Sequence, residues 1–256
     1  LILGRDLGDI EAAISCFERV LVVRPGWTVA LSNLGWMYSE AGQYEKGDEL
    51  LGAVLDTIPL DPEARLIRAY INLKHARFES GWRYYGARHD SRFAIARPYT
   101  FPRWTGAPAS DRSVLVIAEQ GLGDTIQFAR YIPMAAERVG EIVLGCSAEM
   151  EPLLGNFPGV TQYCHRWTDV PGHAINCRLS SLPYLFGTRL DSIPNKVPYL
   201  FAPKARAEAW RVKLNEMLPQ GVKRIGLAWT GRPIDSASSR CVIERTSSSS
   251  ASSSPG

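Results

Sequence analysis

Hydrophobic and polar positions change rhythm twice along the chain. Over residues 1–92 the pattern is helical and copies itself: "GDIEAAISCFERVLVVRP" (8–25) aligns with "GQYEKGDELLGAVLDTIP" (42–59) at an offset of 42 − 8 = 34 residues. The same offset carries Ile10 onto Tyr44, Ala13 onto Gly47, Phe17 onto Leu51 and Pro25 onto Pro59. From Arg112 the pattern turns to short apolar runs rich in β-branched residues, at 113–118, 141–146, 159–164 and 173–177, which read as strands. Helical stretches at 125–138, 148–156 and 180–186 separate them, and Pro133 should kink or split the first. Strands alternating with helices predict right-handed crossovers and a parallel sheet. Beyond residue 231 the rhythm stops, and ten of the last 21 residues are serine.

The front of the chain holds successive copies of one unit, the first of them incomplete. "LSNLGWMYSEAG" (31–42) supplies the first helix of a complete copy, with Leu34, Gly35 and Tyr38 spaced for packing. In the looser copy "PEARLIRAYINLKHARFESGWRYYGARHD", Ala69 replaces Gly35, Phe78 matches Tyr44, Gly81 matches Gly47 and Tyr85 matches Leu51. Small residues suit the places where two helices cross, and larger ones fill the grooves. A 34-residue period with these features resembles the tetratricopeptide repeat. Residues 1–92 then comprise half a repeat, one full repeat and one degenerate repeat. About three such units are needed for stability, so the array is expected to lean on the domain after it. It serves either as a spacer or as a groove that holds a peptide or partner protein.

Residues 93–111, "FAIARPYTFPRWTGAPASD", carry prolines that bar a regular helix and too many aromatics for a solvated linker. They predict an extended strap packed on the next domain, with Trp104 as a packing anchor.

Composition narrows the function classes. The 256 residues are 45% hydrophobic and 21% charged, with a net charge of +3 and no basic block. That removes the case for nucleic acid, which needs clustered Lys and Arg for its phosphates. Cys16, Cys146, Cys164, Cys177 and Cys241 are scattered and read as reduced thiols of a cytoplasmic protein. No apolar run approaches the length of a membrane span, and without a charged-then-apolar leader pattern secretion is not expected. Leu1 falls inside a helical pattern, so the chain is expected to begin partway through a longer protein. His75, His89, His165 and His173 share no metal-site spacing, and no metal is expected.

The candidate chemistry lies in "VIAEQGLGDTIQFARY" (116–131). The loop 119–123 sits at the carboxyl end of a strand and directly before a helix, where open sheets bind ligands. Gly121 and Gly123 would let the backbone turn sharply and approach a ligand. Thr125, Ile126 and Gln127 would offer free amides at the positive end of the helix, suited to phosphate or carboxylate. The segment is neither a GxGxxG fingerprint, since Ile126 stands where its last glycine belongs, nor a Walker A loop. Asp124 has two readings. As an N-cap with Gln127 three residues on, it would complete a capping box worth about 1 kcal/mol. As a carboxylate at a strand end, it could take a proton from an attacking hydroxyl. Glu119 and Gln120 would hold acceptor hydroxyls or fix the loop, and Arg130 would reach a phosphate or solvent.

"AEQGLGDTIQFARY", with "LSSLPYLFGT", "IPNKVPYL" and "RIGLAWTG", resembles the glycosyltransferase domain of bacterial tetratricopeptide-repeat proteins, related to the heptosyltransferases of glycosyltransferase family 9. "ESGWRYYGARH" and "RPYTFPRWTG" also resemble the segment that joins repeats to transferase in those proteins. The resemblance implies a GT-B architecture: two Rossmann-like domains with a nucleotide-sugar donor in the cleft and a glycan or protein acceptor. It implies no further cofactor, and it makes Asp124 the general base that activates the acceptor; Glu119, Gln120, Gly121, Gly123, Thr125 and Gln127 are expected as substrate contacts from their place in the loop.

The resemblance breaks after Gly231. "KRIGLAWTG" (223–231) looks like the first strand of the donor domain, whose family loop of Asn, His, Asp and Arg is missing after it. Trp229 and Gly231 are then donor-side remnants, and the serine-rich end reads as a shifted frame or truncated gene. The expected organisation is 1–92 helical repeats, 93–111 connector, 112–221 acceptor-side Rossmann-like domain, 222–231 first donor-domain strand and 232–256 disordered tail. Its function would be sugar transfer, with little turnover by this chain alone, or a protein-binding platform without catalysis.

Overall fold

The structure, a computed structural model, describes residues 9–89, 101–119, 121–155, 157–166, 169–170 and 175–218. The strand expected at 222–231 and the tail at 232–256 lie outside the described residues, as do residues 93–100 of the connector. The chain divides into two compact units, one of Leu1–Arg97 with Pro183–Ile193, the other of Pro98–Leu182 with Pro194–Gly256.

The first unit contains helices α1 (Ile10–Val23), α2 (Thr28–Glu40), α3 (Tyr44–Thr57), α4 (Pro62–Lys74) and α5 (Phe78–Tyr85). Their starts recur at the offset seen in the sequence: α1 to α3 is 44 − 10 = 34, and α2 to α4 is 62 − 28 = 34. Asp9 caps α1 by accepting from Ala12 N at 2.9 Å, and Asp61 caps α4 by accepting from Ala64 N at 2.7 Å with Pro62 at the first turn. A Cβ on Gly47 would stand 2.8 Å from the Gly35 carbonyl oxygen, so α2 and α3 cross where only glycine fits. Leu51, Val54, Ala64, Ile67 and Ile71 fill the core beneath that crossing. Arg68 binds Asp48 through two nitrogens at 2.7 and 3.0 Å, a fork that ties α4 to α3. Gly42 and Ala76, 34 residues apart, both take left-handed backbone after a helix, with φ of 79° and 55°.

The second unit is α/β. Strands β1 (Ala109–Ile117), β2 (Val139–Gly145), β3 (Val160–Cys164) and β4 (Ile175–Arg178) form one parallel sheet in the order β3-β2-β1-β4. Alternation of strands and helices dictates this parallel arrangement, because each crossover must return the chain to the same edge. Residues 113–117 of β1 and all of β4 are buried, as befits strands covered on both faces. Before β1, the described part of the connector runs beside β4: Trp104 N donates to Asn176 O at 2.7 Å, and Asn176 N to Pro102 O at 2.9 Å. Trp104 is buried there and gives its indole N–H to Ala107 O at 2.8 Å, so the strap is a packed one.

The crossover expected over 125–138, to be kinked or split at Pro133, is split into α6 (Leu122–Ala129) and α7 (Ile132–Ala136), with Pro133 in the first turn of the second. The helix expected over 148–156 shrinks to α8 (Glu151–Leu154), and that over 180–186 to a 3-10 turn plus α9 (Leu182–Leu185). A last helix, α10 (Lys204–Met217), has no buried residue, and its apolar side chains draw no single helical face. The strand at 173–177 begins at Ile175 among the described residues. No helix among the described residues is long and apolar enough to cross a membrane.

Candidate functional site

Strands β2 and β3 lie on one side of β1, and β4 lies on the other. The order therefore reverses between β1 and β4, and the carboxyl ends of strands at such a reversal form the usual ligand crevice. The β1/β4 ladder ends at Ile117 opposite Arg178, and the loop leaving β1 starts one residue later.

Glu119 is 5% exposed, although carboxylates are almost never buried without a partner. Arg178 Nη1 donates to its Oε2 at 2.6 Å, and the Ser180 hydroxyl donates to its Oε1. Arg178 and Ser180 are themselves 7% and 1% exposed. Glu119 is thus enclosed by the end of β4 rather than offered to acceptor hydroxyls. That favours the second reading of Glu119, a residue that fixes the loop, over contact with acceptor hydroxyls. Burial first, and then the same carboxylate, push the Cys177 thiol above its ordinary range.

Helix α6 starts at Leu122, with Gly121 as its N-cap, three residues earlier than the spacing predicts. Asp124 is consequently not the cap, and Gln127 does not face it as a capping-box partner. Asp124 occupies the third position and reaches back instead: Gly121 N donates to its Oδ2 at 3.0 Å. The side chain is half-buried, and among the described residues nothing donates to Oδ1. The first amides of α6, on Leu122 and Gly123, have no intrahelical acceptor by helix geometry.

Thr125 likewise serves the loop. It is fully buried, its amide and its hydroxyl both donate to Gly121 O at 3.1 Å, and both are spent on the loop itself. Neither loop glycine turns the chain through left-handed backbone; Gly121 has φ −85° and ψ 170°. A Cβ on Gly121 would come 3.3 Å from Asp124 Oδ2, whereas one on Gly123 would meet open space. What the glycines leave is room over the helix start. Gln127 is exposed, and Gln120, Trp229 and Gly231 lie outside the described residues.

Arg130 is half-buried and engaged with its own unit. Its guanidinium donates to Pro194 O at 3.3 Å and to the Tyr199 hydroxyl at 3.2 Å, and Tyr199 in turn donates to Ile126 O at 3.0 Å. Together they fasten residues 194–199 against α6.

Two strands along the same edge, His165 sits between Cys146 O, 2.9 Å from Nδ1, and Glu151 Oε2, 2.6 Å from Nε2. Both neighbours accept only, so the ring that satisfies both is the doubly protonated one. The hydrogen bond to the Cys146 carbonyl first, and then that to Glu151, raises the imidazole above its usual value. His75 packs edge-on against Tyr44, with ring centroids 4.5 Å apart, and His173 lies outside the described residues. Among the described residues no His, Cys, Asp and Glu side chains group as a metal site. Cys16, Cys146, Cys164 and Cys177 are unbridged, and Cys241 lies outside the described residues.

Arg178, Ser180 and Glu151 do not stand out as site residues in the sequence, although Ser180 lies within "LSSLPYLFGT". Arg178 and Ser180 are 59 and 61 residues from Glu119, and no short spacing signals a contact that the sheet order creates.

No protein-family model matches the chain. Protein FlbA of Caulobacter vibrioides is 24% identical over 263 residues, an alignment covering 92% of this chain and 43% of that protein. The chain therefore spans less than half the length of this curated relative. A solved structure of a mutant O-GlcNAc transferase from Thermobaculum terrenum aligns with a TM-score of 0.29 at 14% identity, covering 64% of this chain and 39% of that one.

Proposed function

We propose that the chain is the repeat-bearing, acceptor-side part of a nucleotide-sugar-dependent glycosyltransferase, with tetratricopeptide-type hairpins ahead of one Rossmann-like half of a GT-B fold. The observation that carries this reading is the placement of Asp124. Its carboxylate stands at the carboxyl end of β1, one oxygen held by Gly121 N–H at 3.0 Å and the other unengaged among the described residues. The sequence resemblance around 118–131 points to the same residue.

In this mechanism the acceptor hydroxyl gives its proton to Asp124 Oδ1 as its oxygen attacks the anomeric carbon of the donor. The bond from that carbon to the nucleoside diphosphate breaks, the diphosphate leaves with the electron pair, and the anomeric configuration inverts. The open start of α6 would lie beside the reacting groups, and its dipole favours negative charge there. The nucleotide itself would be held by the part of the fold that begins at residues 222–231, where Trp229 and Gly231 would border it.

Donor hydrolysis and sugar transfer by the full-length protein, with Asp124→Asn alongside, test the assignment. Loss of turnover in the variant with donor binding retained supports it, and equal turnover leaves Asp124 a structural residue.

The second reading is a protein-binding platform. It draws on an open groove of about 500 Å³ in the helical unit, lined by Glu18, Leu21, Val22, Tyr38, Lys46 and Leu50 among others. Val22 is 81% exposed there, an apolar surface suited to a partner. Partner binding unaffected by Asp124→Asn, together with no turnover by wild type, would select it.

A further inference from the structure

Stability alone does not account for the buried pair of Glu119 and Arg178. Removing both charges from water costs much of what their attraction returns, and packed apolar residues in such places are often as stable or more so. Buried charges kept at a ligand crevice call for a geometric reason.

The geometry supplies one. Glu119 is two residues past the end of β1 and two before Gly121. Both of its oxygens are taken from the far side of the reversal, Oε2 by Arg178 at the last position of β4 and Oε1 by Ser180 in the turn after it. The parallel ladder has ended at Ile117, so this side-chain link continues the joint between β1 and β4 past the last backbone pairing. Immediately downstream, the Gly121 amide holds Asp124 Oδ2 while Thr125 holds the Gly121 carbonyl from the opposite side at 3.1 Å. A carboxylate held through one amide can be no better placed than that amide.

We infer that Glu119 is a positioning residue for Asp124: clamped by Arg178 and Ser180, it sets where the strand end delivers the Gly121 amide, and through that amide the orientation of the Asp124 carboxylate. Its bearing on catalysis rests on the transferase reading; the positional link itself does not.

Two variants of the isotope-labelled chain separate these. Ser180→Ala removes one donor and leaves the ion pair, while Glu119→Gln keeps the shape and removes the charge. In both, exchange of the Gly121 amide is expected to speed up at least tenfold, and the couplings that report the Asp124 χ1 rotamer to average. Amides of Leu115 and Val143 in the sheet core keep their protection. In the full-length protein the same variants lower kcat several-fold with donor KM unchanged. Unaltered Gly121 exchange and Asp124 couplings overturn the inference, whatever happens to turnover, and Ser180→Ala alone decides if Glu119→Gln does not fold. If the spectra change while Asp124→Asn retains full turnover, the link stands and the transferase reading falls.

Discussion

Gly121 donates its backbone N–H to Oδ2 of Asp124 over 3.0 Å, so one oxygen of that carboxylate closes the start of α6 while the other is unengaged among the described residues. On the proposed transferase reading, structural and chemical duties fall on different atoms of one side chain, and substitution can part them. Asp124→Ala removes the acceptor and should cost about 1 kcal/mol in denaturant unfolding, as capping substitutions do. Asp124→Asn keeps an acceptor oxygen and loses only the charge near the helix dipole, about 0.3–1 kcal/mol. Transfer by the full-length protein should fall about a hundredfold or more in both, the usual contribution of a general base. Wild-type turnover in Asp124→Asn would reduce the residue to holding the Gly121 amide.

The ion pair of Glu119 and Arg178 predicts a large single and a small double effect. Arg178→Met strands a carboxylate whose side chain is 4% exposed, and unfolding measurements should show a loss of about 3–5 kcal/mol. Adding Glu119→Leu removes the stranded charge and should restore most of it. A double variant no more stable than Arg178→Met alone would mean that the pair stabilises outright.

Much of this architecture is legible in the sequence, and the failures have physical causes. The 34-residue offset foretells helix starts at Tyr44 and Pro62 because packing repeats when residues of like size recur. The apolar β-branched runs foretell four strands, yet β1 begins at Ala109, before its apolar core, because Ala109 already pairs with Val139 ahead of an irregular, exposed stretch that ends at Ser113 opposite Glu141. Helix α6 starts ahead of its expected first residue because Gly121 caps in ordinary extended backbone, so "GLG" contributes to the helix rather than to a sharp turn. Helix α10 leaves no apolar face for periodicity to detect. The enclosure of Glu119 depends on β4 returning to the side of β1 opposite β2, a matter of topology that no local spacing encodes.

Gly47 and Ala76 test the packing and the backbone of the helical unit. Gly47→Ala would place a methyl 2.8 Å from the Gly35 carbonyl oxygen, which a backbone atom cannot evade, at a cost of about 1–3 kcal/mol. Ala76 holds φ at 55°, where an L side chain costs roughly 1–2 kcal/mol. Glycine relieves that strain while giving back about 0.4–1 kcal/mol of unfolded-chain entropy. Ala76→Gly should therefore raise the midpoint of thermal unfolding. A lowered midpoint would show that the alanine methyl packs for more than its backbone costs.

His165 makes the stability depend on pH with a definite sign. Its ring is raised above the ordinary value by the Cys146 carbonyl and then by Glu151, with Asp169 adding a smaller attraction; burial opposes them. The neighbouring Arg166 pairs with Asp169 at 3.5 Å and moderates that last attraction. A group whose folded-state pKa is raised contributes its full stability below its unfolded value, about 6.5, and loses it as pH rises through the folded value. The advantage of wild type over His165→Gln in urea unfolding should accordingly be greatest below about pH 6 and shrink toward pH 8. A side chain about one-third exposed limits the size of the effect but not its direction. In NMR titration, the His165 midpoint should lie above about 6.5 in wild type and fall in Glu151→Gln. A wild-type midpoint at or below that value would mean that the ring is not held between two acceptors in solution.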